Sequence, residues 1–315
     1  MTELLTDADI AARLAAFKHG NVEAYHVEAV QEAEAKRYRF VRPLVQAADS
    51  LIEYLQNVDG RFMFGLEQLD QMTRGIGAGE LAYVTGYTHS GKTQVFLTAV
   101  VNNKDRPIVL VTMDETSEQV LTKLVCMLTG SNAERLEERV RDNDQAAIDR
   151  VRRIAREDLA NLVVVDGGMH LRDISTVISE AEDHWGQPVA ALGIDYLDLL
   201  KTDDSDVEGK SQSLKAWVVA QSFPTICVHQ GSRGNSGGGQ KLAMNSMKYA
   251  GEAEATFVIG VRRLRDDPDN ADNPFVKDTV EVALIKNKRP PSKVGEFTFY
   301  MKPESGLVLP IERMP

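Results

Sequence analysis

The stretch Leu81-Ala-Tyr-Val-Thr-Gly86-Tyr87-Thr88-His89-Ser90-Gly91-Lys92-Thr93 joins a short β-branched run to an eight-residue loop that opens on glycine and closes on Gly-Lys-Thr. It has the spacing of a phosphate-binding loop, and it stands after a strand and before a helical segment, as that loop must. Glycines let the backbone close around phosphate oxygens, so that successive N–H groups and the following helix N-terminus point at negative charge. Lys92 is then expected to reach the β and γ phosphates and the Thr93 hydroxyl to bind Mg²⁺, with His89 a spacer inside the loop. The whole run Gly86 to Thr93 is the expected nucleotide cradle.

Outward from this loop, Pro107 to Thr112, Leu162 to Val165, Val189 to Ile194, Thr225 to Val228 and Thr256 to Val261 read as buried strands. Most are separated by enough chain for a crossover helix, which predicts an α/β fold with a mainly parallel sheet covered on both faces. Acids and bases interleave from Asn132 to Leu159, the pattern of one or two solvated helices. Thr279 to Ile285 and Gly295 to Tyr300, joined by a basic turn, predict a hairpin at the sheet edge. Thr202 to Ser211 and Gly231 to Gln240 carry no signal for regular structure. Residues 1–61 read as a helical arm: Thr6 or Asp7 caps a segment with Ile10, Leu14 and Phe17 on one face. Val41, Leu44, Val45, Ala48, Leu51, Ile52 and Leu55 then form a second apolar stripe. The arm either packs on its own domain, residues 62–315, or docks on a neighbouring subunit.

The 315 residues are 43% hydrophobic and 26% charged, which excludes a disordered or fibrous chain. A net charge of -11 excludes a surface that is basic throughout, and leaves room for a local basic path to nucleic acid. Cys126 and Cys227, each in an apolar run, are too few for a disulfide framework or a four-thiolate zinc site. A reducing, cytoplasmic location is expected. The start lacks the order of a signal peptide, and no apolar run reaches the roughly 18 residues of a membrane span.

A nucleotide site with Mg²⁺ needs a carboxylate at a neighbouring strand end. Asp195, after Val189 to Ile194, stands there, because ligands of parallel sheets bind beyond the carboxyl ends of the strands. Asp114 and Glu115 follow the strand ending at Thr112. One of them orients or deprotonates the attacking water, and the residues leave both open.

Taken together these motifs resemble the DnaB-type replicative helicases of the RecA-like ATPase superfamily, over about residues 62 to 311. Phe64-Gly-Leu-Glu-Gln-Leu-Asp70 through Gly75 and Leu81 looks like the family's lead-in, and Ile194-Asp195-Tyr196-Leu197-Asp198-Leu199-Leu200 is close to its Asp-Tyr-Leu-Gln-Leu segment. Ser213-Leu-Lys-Ala216 and Pro224 to Gln230 match the helix and strand that end in its Ser-Gln pair. The resemblance implies a RecA-like fold, ATP and Mg²⁺ as cofactors, and a homo-oligomeric ring, most simply a hexamer, acting on single-stranded DNA. It implies that Gln230 senses the γ-phosphate and that the loop Gly231 to Ala250, with Arg233, Lys241 and Lys248, contacts the DNA backbone. Lys286-Asn-Lys288-Arg289 matches the family's Lys-x-Arg pair, so that Lys288 or Arg289 would reach the next subunit's nucleotide. A ring acidic outside and basic only within would reconcile DNA binding with the net charge.

Two departures stand out. Asp114 takes the place of the family's catalytic glutamate, one carbon shorter, with Glu115 beside it. The 61-residue arm is too short to match the family's primase-interacting domain, so a primase or loader partner stays open, as in a phage-type member reduced to its motor. More distantly, Asp114-Glu115 and the Lys286 to Arg289 turn resemble RadA-like recombination ATPases, against which stand the missing four-cysteine finger and the Asp195-Tyr-Leu segment. A regulatory or scaffold ATPase that unwinds nothing is the third reading.

Overall fold

A computed structural model of the chain describes residues 44–56, 58, 60–230, 253–270, 273 and 276–311. The chain divides into two compact units, 1–57 and 58–315. In the first, helix α1 (Leu44–Gln56) covers the second of the two expected arm helices, and the expected helix from Thr6 to Gly20 lies outside the described residues. Its apolar stripe is solvated: Leu44, Leu51, Ile52 and Leu55 are all more than half exposed.

The second unit opens with a bridge between Phe62 and Ile76 that encloses the short helix α2 (Glu67–Thr73). Asp70 on α2 accepts the Phe64 and Gly65 N–H groups at 2.7 and 2.8 Å, and Phe62, Phe64, Leu66 and Leu69 are buried beneath. Burial pushes the Asp70 carboxyl up to about 6, against the pull of those same backbone N–H groups. The lead-in quoted from the sequence is thus a small packed plug whose first turn is closed by one carboxylate.

Then follow β1 (Leu81–Gly86), α3 (Lys92–Asn102), β2 (Ile108–Thr112), α4 (Ser117–Thr129), α5 (Ala133–Arg141), α6 (Gln145–Arg153), β3 (Leu162–Asp166), α7 (Leu171–Trp185), β4 (Ala191–Asp195), α8 (Val207–Val219) and β5 (Thr225–Gln230). The chain continues through β6 (Phe257–Arg263), β7 (Thr279–Asn287), β8 (Gly295–Met301) and β9 (Val308–Pro310). The nine strands form one sheet in the order β3-β2-β4-β5-β1-β6-β7-β8-β9, parallel as far as β6 and antiparallel beyond it.

Strand alternation divides the core. Ala82 and Val84 of β1 face one cluster with Val95, Phe96 and Leu124 from α3 and α4. Leu81 and Tyr83 face another, with Ile174, Ile178, Leu214 and Val218 from α7 and α8. Side chains on successive strand residues point to opposite faces, so a strand covered on both sides is buried at every position, as β1 and β2 are. Each large side chain fully buried this way contributes roughly 1.5 to 3 kcal/mol.

The interleaved-charge region is two helices, α5 and α6, capped by the Asn132 and Asp144 side chains and continued by a π-helical turn over Ile154–Asp158. Two expectations are corrected. The segment Thr202 to Ser211 contains the start of α8, because the Asp206 side chain accepts the Gly209 N–H at 2.8 Å and caps the helix. The β7–β8 hairpin is real but is not the sheet edge: β9 pairs with β8, from Phe299 opposite Pro310 to Met301 opposite Val308. Three residues ending in proline suit an outermost strand, where the missing N–H faces no partner. Both cysteines are free and buried. Among the described residues no helix is long and apolar enough to cross a membrane.

Candidate nucleotide site

The carboxyl end of β1 runs directly into the glycine loop. A Cβ on Gly86 would stand 2.1 Å from Ser90 Oγ and 2.7 Å from the Val261 carbonyl oxygen, so the loop closes on itself only with glycine there. Gly91 has φ of +93° and would place a Cβ 2.7 Å from the Met301 methyl group. The Ser90 N–H donates to the Tyr87 carbonyl at 3.1 Å, while the buried Ser90 hydroxyl has no hydrogen-bond partner among the described residues. Thr88 and His89 are exposed at the tip. Helix α3 begins at Lys92 with no side-chain cap, so its first-turn N–H groups are directed at the space the loop encloses.

Lys92 projects into that space, 3.5 Å from the Tyr87 carbonyl oxygen. Burial lowers its pKa, and Asp195, Asp114 and Asp198, in that order, oppose the shift. Asp195 ends β4, and its own carboxyl is pushed up to about 6 by burial and then by Glu115, against the pull of Lys92 and Lys123. Thr93, Thr112, Glu115 and Asp195 line one cleft over a floor that includes Phe96 and Val120. A hydroxyl and a carboxylate held in one cleft, the carboxylate buried and beside Glu115, fit a hard divalent cation such as Mg²⁺. No group of three or more His, Cys, Asp or Glu among the described residues is placed to hold a metal by itself.

Asp114 and Glu115 occupy one turn but face differently. Asp114 is exposed and acts electrostatically on Lys92, whereas Glu115 forms an ion pair with Lys123 of α4. Gln230 ends β5 directly beside Gly86, and its amide Nε2 donates to Thr88 Oγ1 at 2.9 Å.

The basic turn lies at the other end of the sheet. Lys288 N donates to the Thr256 carbonyl just before β6, which pairs with β1 at Ala82, roughly 13 Å of strand from Gly86. Lys286 and Lys288 both donate to the Ala253 carbonyl, at 2.8 and 2.9 Å. Arg289 is committed inside its own subunit: it pairs with Glu80, donates to the Thr73 and Gly75 carbonyls at 2.7 and 2.8 Å, and lies 5.1 Å from the Phe257 ring centroid. The loop Gly231 to Ala250, with Arg233, Lys241 and Lys248, lies outside the described residues.

Three residues were not singled out from the sequence. Lys123 reaches Glu115 only because α4 folds back over the turn. Asp166, at the end of β3, accepts both N–H and O–H of Ser117 at 2.7 and 2.8 Å. Arg263 ends β6 with Nε buried and without a hydrogen-bond partner among the described residues, 3.8 Å from where a Cβ on Gly91 would stand. Its only sequence signal was a basic residue two positions beyond the recognised strand.

Strand order and loop geometry define the class: a RecA-like fold with a phosphate loop at the carboxyl end of its central strand. The chain belongs to the DnaB-like helicase family, whose C-terminal domain model matches residues 62–304. Among solved structures, it is similar to a DnaB-like replicative helicase described with its interactions with primase, at 19% identity and a TM-score of 0.69, covering 92% of this chain and 74% of that one. A second solved structure, an isolated ATPase domain, matches at 18% identity and a TM-score of 0.70, over 86% of this chain and 99% of its own. A KaiC-like protein from the hyperthermophilic archaeon Pyrococcus horikoshii OT3 matches at 17% and 0.51, over 79% of this chain and 99% of its own. No curated protein matches the sequence.

Proposed function

We propose that this protein is an ATP-driven helicase and translocase of DNA replication. It works on single-stranded DNA as a homo-oligomeric ring, most simply a hexamer, and hydrolyses ATP at subunit interfaces. The observation that carries this reading is the Gln230–Thr88 hydrogen bond. The residue that opens the Gly231 to Ala250 loop touches the loop that would cradle phosphate. A side-chain amide can exchange that hydroxyl for a phosphate oxygen or a water, and so move the segment attached to it.

In this reading the amides of the Gly86 to Thr93 loop and α3 bind the phosphates and Lys92 reaches the β and γ groups. Thr93 and Asp195 would hold Mg²⁺, which supplies neutralising charge to the phosphoryl oxygens. A carboxylate of the Asp114-Glu115 turn takes the proton of the attacking water as its oxygen bonds to the γ-phosphorus and the bond to ADP breaks. Lys288 cannot reach the phosphate loop of its own subunit, and its place at the far end of the sheet suits donation to a neighbour's site. The Arg289 interactions leave Lys288 as the better candidate of the two. Arg233, Lys241 and Lys248 would neutralise the DNA backbone. The solvated stripe of α1 suits docking on an adjacent subunit. A primase or loader is the corresponding candidate partner, and a cytoplasmic setting suits the free buried thiols.

The test is unwinding of a forked duplex with ATP and Mg²⁺, with ring formation followed by particle imaging. Unwinding with one fixed polarity is expected. Stimulation of ATP turnover by single-stranded DNA without unwinding would point instead to a recombination ATPase. Neither binding nor stimulation at low salt would end the motor reading.

A further inference from the structure

The turn between β2 and α4 carries two adjacent carboxylates, and its tethers treat them unequally. Thr112 Oγ1 closes the turn, donating to the Glu115 carbonyl at 3.0 Å and accepting the Glu115 N–H at 3.3 Å. The Met113 N–H donates to the Asp195 carbonyl at 2.9 Å, which fixes the turn to the end of β4. Ser117 is held by Asp166, and α4 is started by a capping box between Thr116 and Gln119. The last tether is the Glu115 carboxylate, paired with Lys123, both side chains largely withdrawn from solvent at 25% and 32% exposure. Asp114 lies between the two anchored residues, and its carboxylate has no hydrogen-bond or ion-pair partner among the described residues.

We propose that Lys123 is a positioning residue: by holding Glu115 it fixes the 112–117 turn and leaves Asp114 as the carboxylate that meets the attacking water. The inference rests on the reading of this site as one that hydrolyses ATP. A carboxylate in contact with an ammonium has lone pairs committed to that contact, whereas those of Asp114 are open to water. Lys123 sits on a capped helix, so its hold is transmitted to a rigid element rather than to another loop. Such a tether matters because misplacing a reacting group by about 1 Å can lower a rate by about 100-fold. The one-carbon shortening at Asp114 makes the position of its backbone the quantity to be fixed.

The experiment compares Lys123→Met, Lys123→Arg, Glu115→Gln and Asp114→Asn in the full chain. It reads hydrogen exchange of the 113–116 amides without nucleotide, binding of fluorescent ADP, and steady-state kcat and KM for ATP. Lys123→Met is expected to speed exchange in the turn and lower kcat about tenfold with KM nearly constant, and Lys123→Arg to restore both. Glu115→Gln should resemble Lys123→Met, and the double variant should be no worse than either. Asp114→Asn should lower kcat about 100-fold or more while exchange and ADP binding stay at the parent values. Parent-like exchange and kcat in Lys123→Met would overturn the proposal, as would a loss of turnover in Glu115→Gln equal to that in Asp114→Asn. If Lys123→Met does not fold, Lys123→Arg against Glu115→Gln makes the same comparison. A parent protein that hydrolyses no ATP would fail the functional reading itself. The exchange data would still decide whether Lys123 holds the turn.

Discussion

The two ends of the central sheet are both rich in charged and polar groups, and they differ in how far those groups are satisfied. At the amino-terminal end, Arg289 spans the lead-in and the hairpin, with Glu80, the Thr73 and Gly75 carbonyls and the Phe257 ring using its donors and its face. At the carboxyl end, the Ser90 hydroxyl and Arg263 Nε are buried without hydrogen-bond partners among the described residues. There too α3 begins without a side-chain cap, and burial pushes the Asp195 carboxyl up to about 6. Buried polar groups are normally paired, so the open Ser90 and Arg263 groups beside the glycine loop suit a ligand, whereas the groups that Arg289 gathers serve the fold, even though Thr225 Oγ1 at that end is also buried without a hydrogen-bond partner among the described residues.

If that contrast holds, substitutions at the two ends should separate activity from stability. The largest expected effect is at the open end: Lys92→Ala should lower ATP turnover by about 100-fold or more while the thermal midpoint hardly moves. Normal turnover in that variant would remove the phosphate-site assignment. At the closed end the effect should reverse. Arg289→Ala takes the guanidinium from Glu80, which keeps only neutral partners such as the Gly77 N–H, and from two carbonyls, and should destabilise the fold by about 3 kcal/mol in chemical denaturation, without altering the nucleotide affinity of the protein that remains folded. Asp70→Ala, which abandons the Phe64 and Gly65 N–H groups inside the plug, should cost about 2 kcal/mol by the same measurement. Smallest should be Ser90→Ala, which removes a hydroxyl that satisfies nothing: stability within about 0.5 kcal/mol of the parent, with weaker binding of fluorescent ADP. A large destabilisation there would mean that the open end is not open.

The same contrast explains how much could be read from the chain. The phosphate loop was legible because its chemistry is local: eight consecutive residues, each with a backbone or charge requirement, flanked by a β-branched run and a helix. The place of Asp195 in the cleft could be anticipated because a carboxylate at the end of a parallel strand faces the crevice beyond the sheet. The different surroundings of Lys288 and Arg289 were not legible, since they are neighbours in sequence, and contacts such as that of Arg289 with Glu80, 209 residues away along the chain, depend on tertiary packing. Lys123 was hidden for a similar reason, because nothing in a lysine on a charged helix says which carboxylate it will meet. The cap at Asp206 carried no signal because the polar residues after it masked the first turns of a helix that packs through Leu214 and Val218.

The sequence by itself therefore determined the fold class and the family and marked a candidate place for the nucleotide, all of which rest on residues close together along the chain or on alternation within single strands. Only the tertiary structure decided which charges are spent within the subunit and which are left open to a ligand. Pairing between distant charged groups depends on where rigid strands and helices deliver them, and no local pattern encodes that.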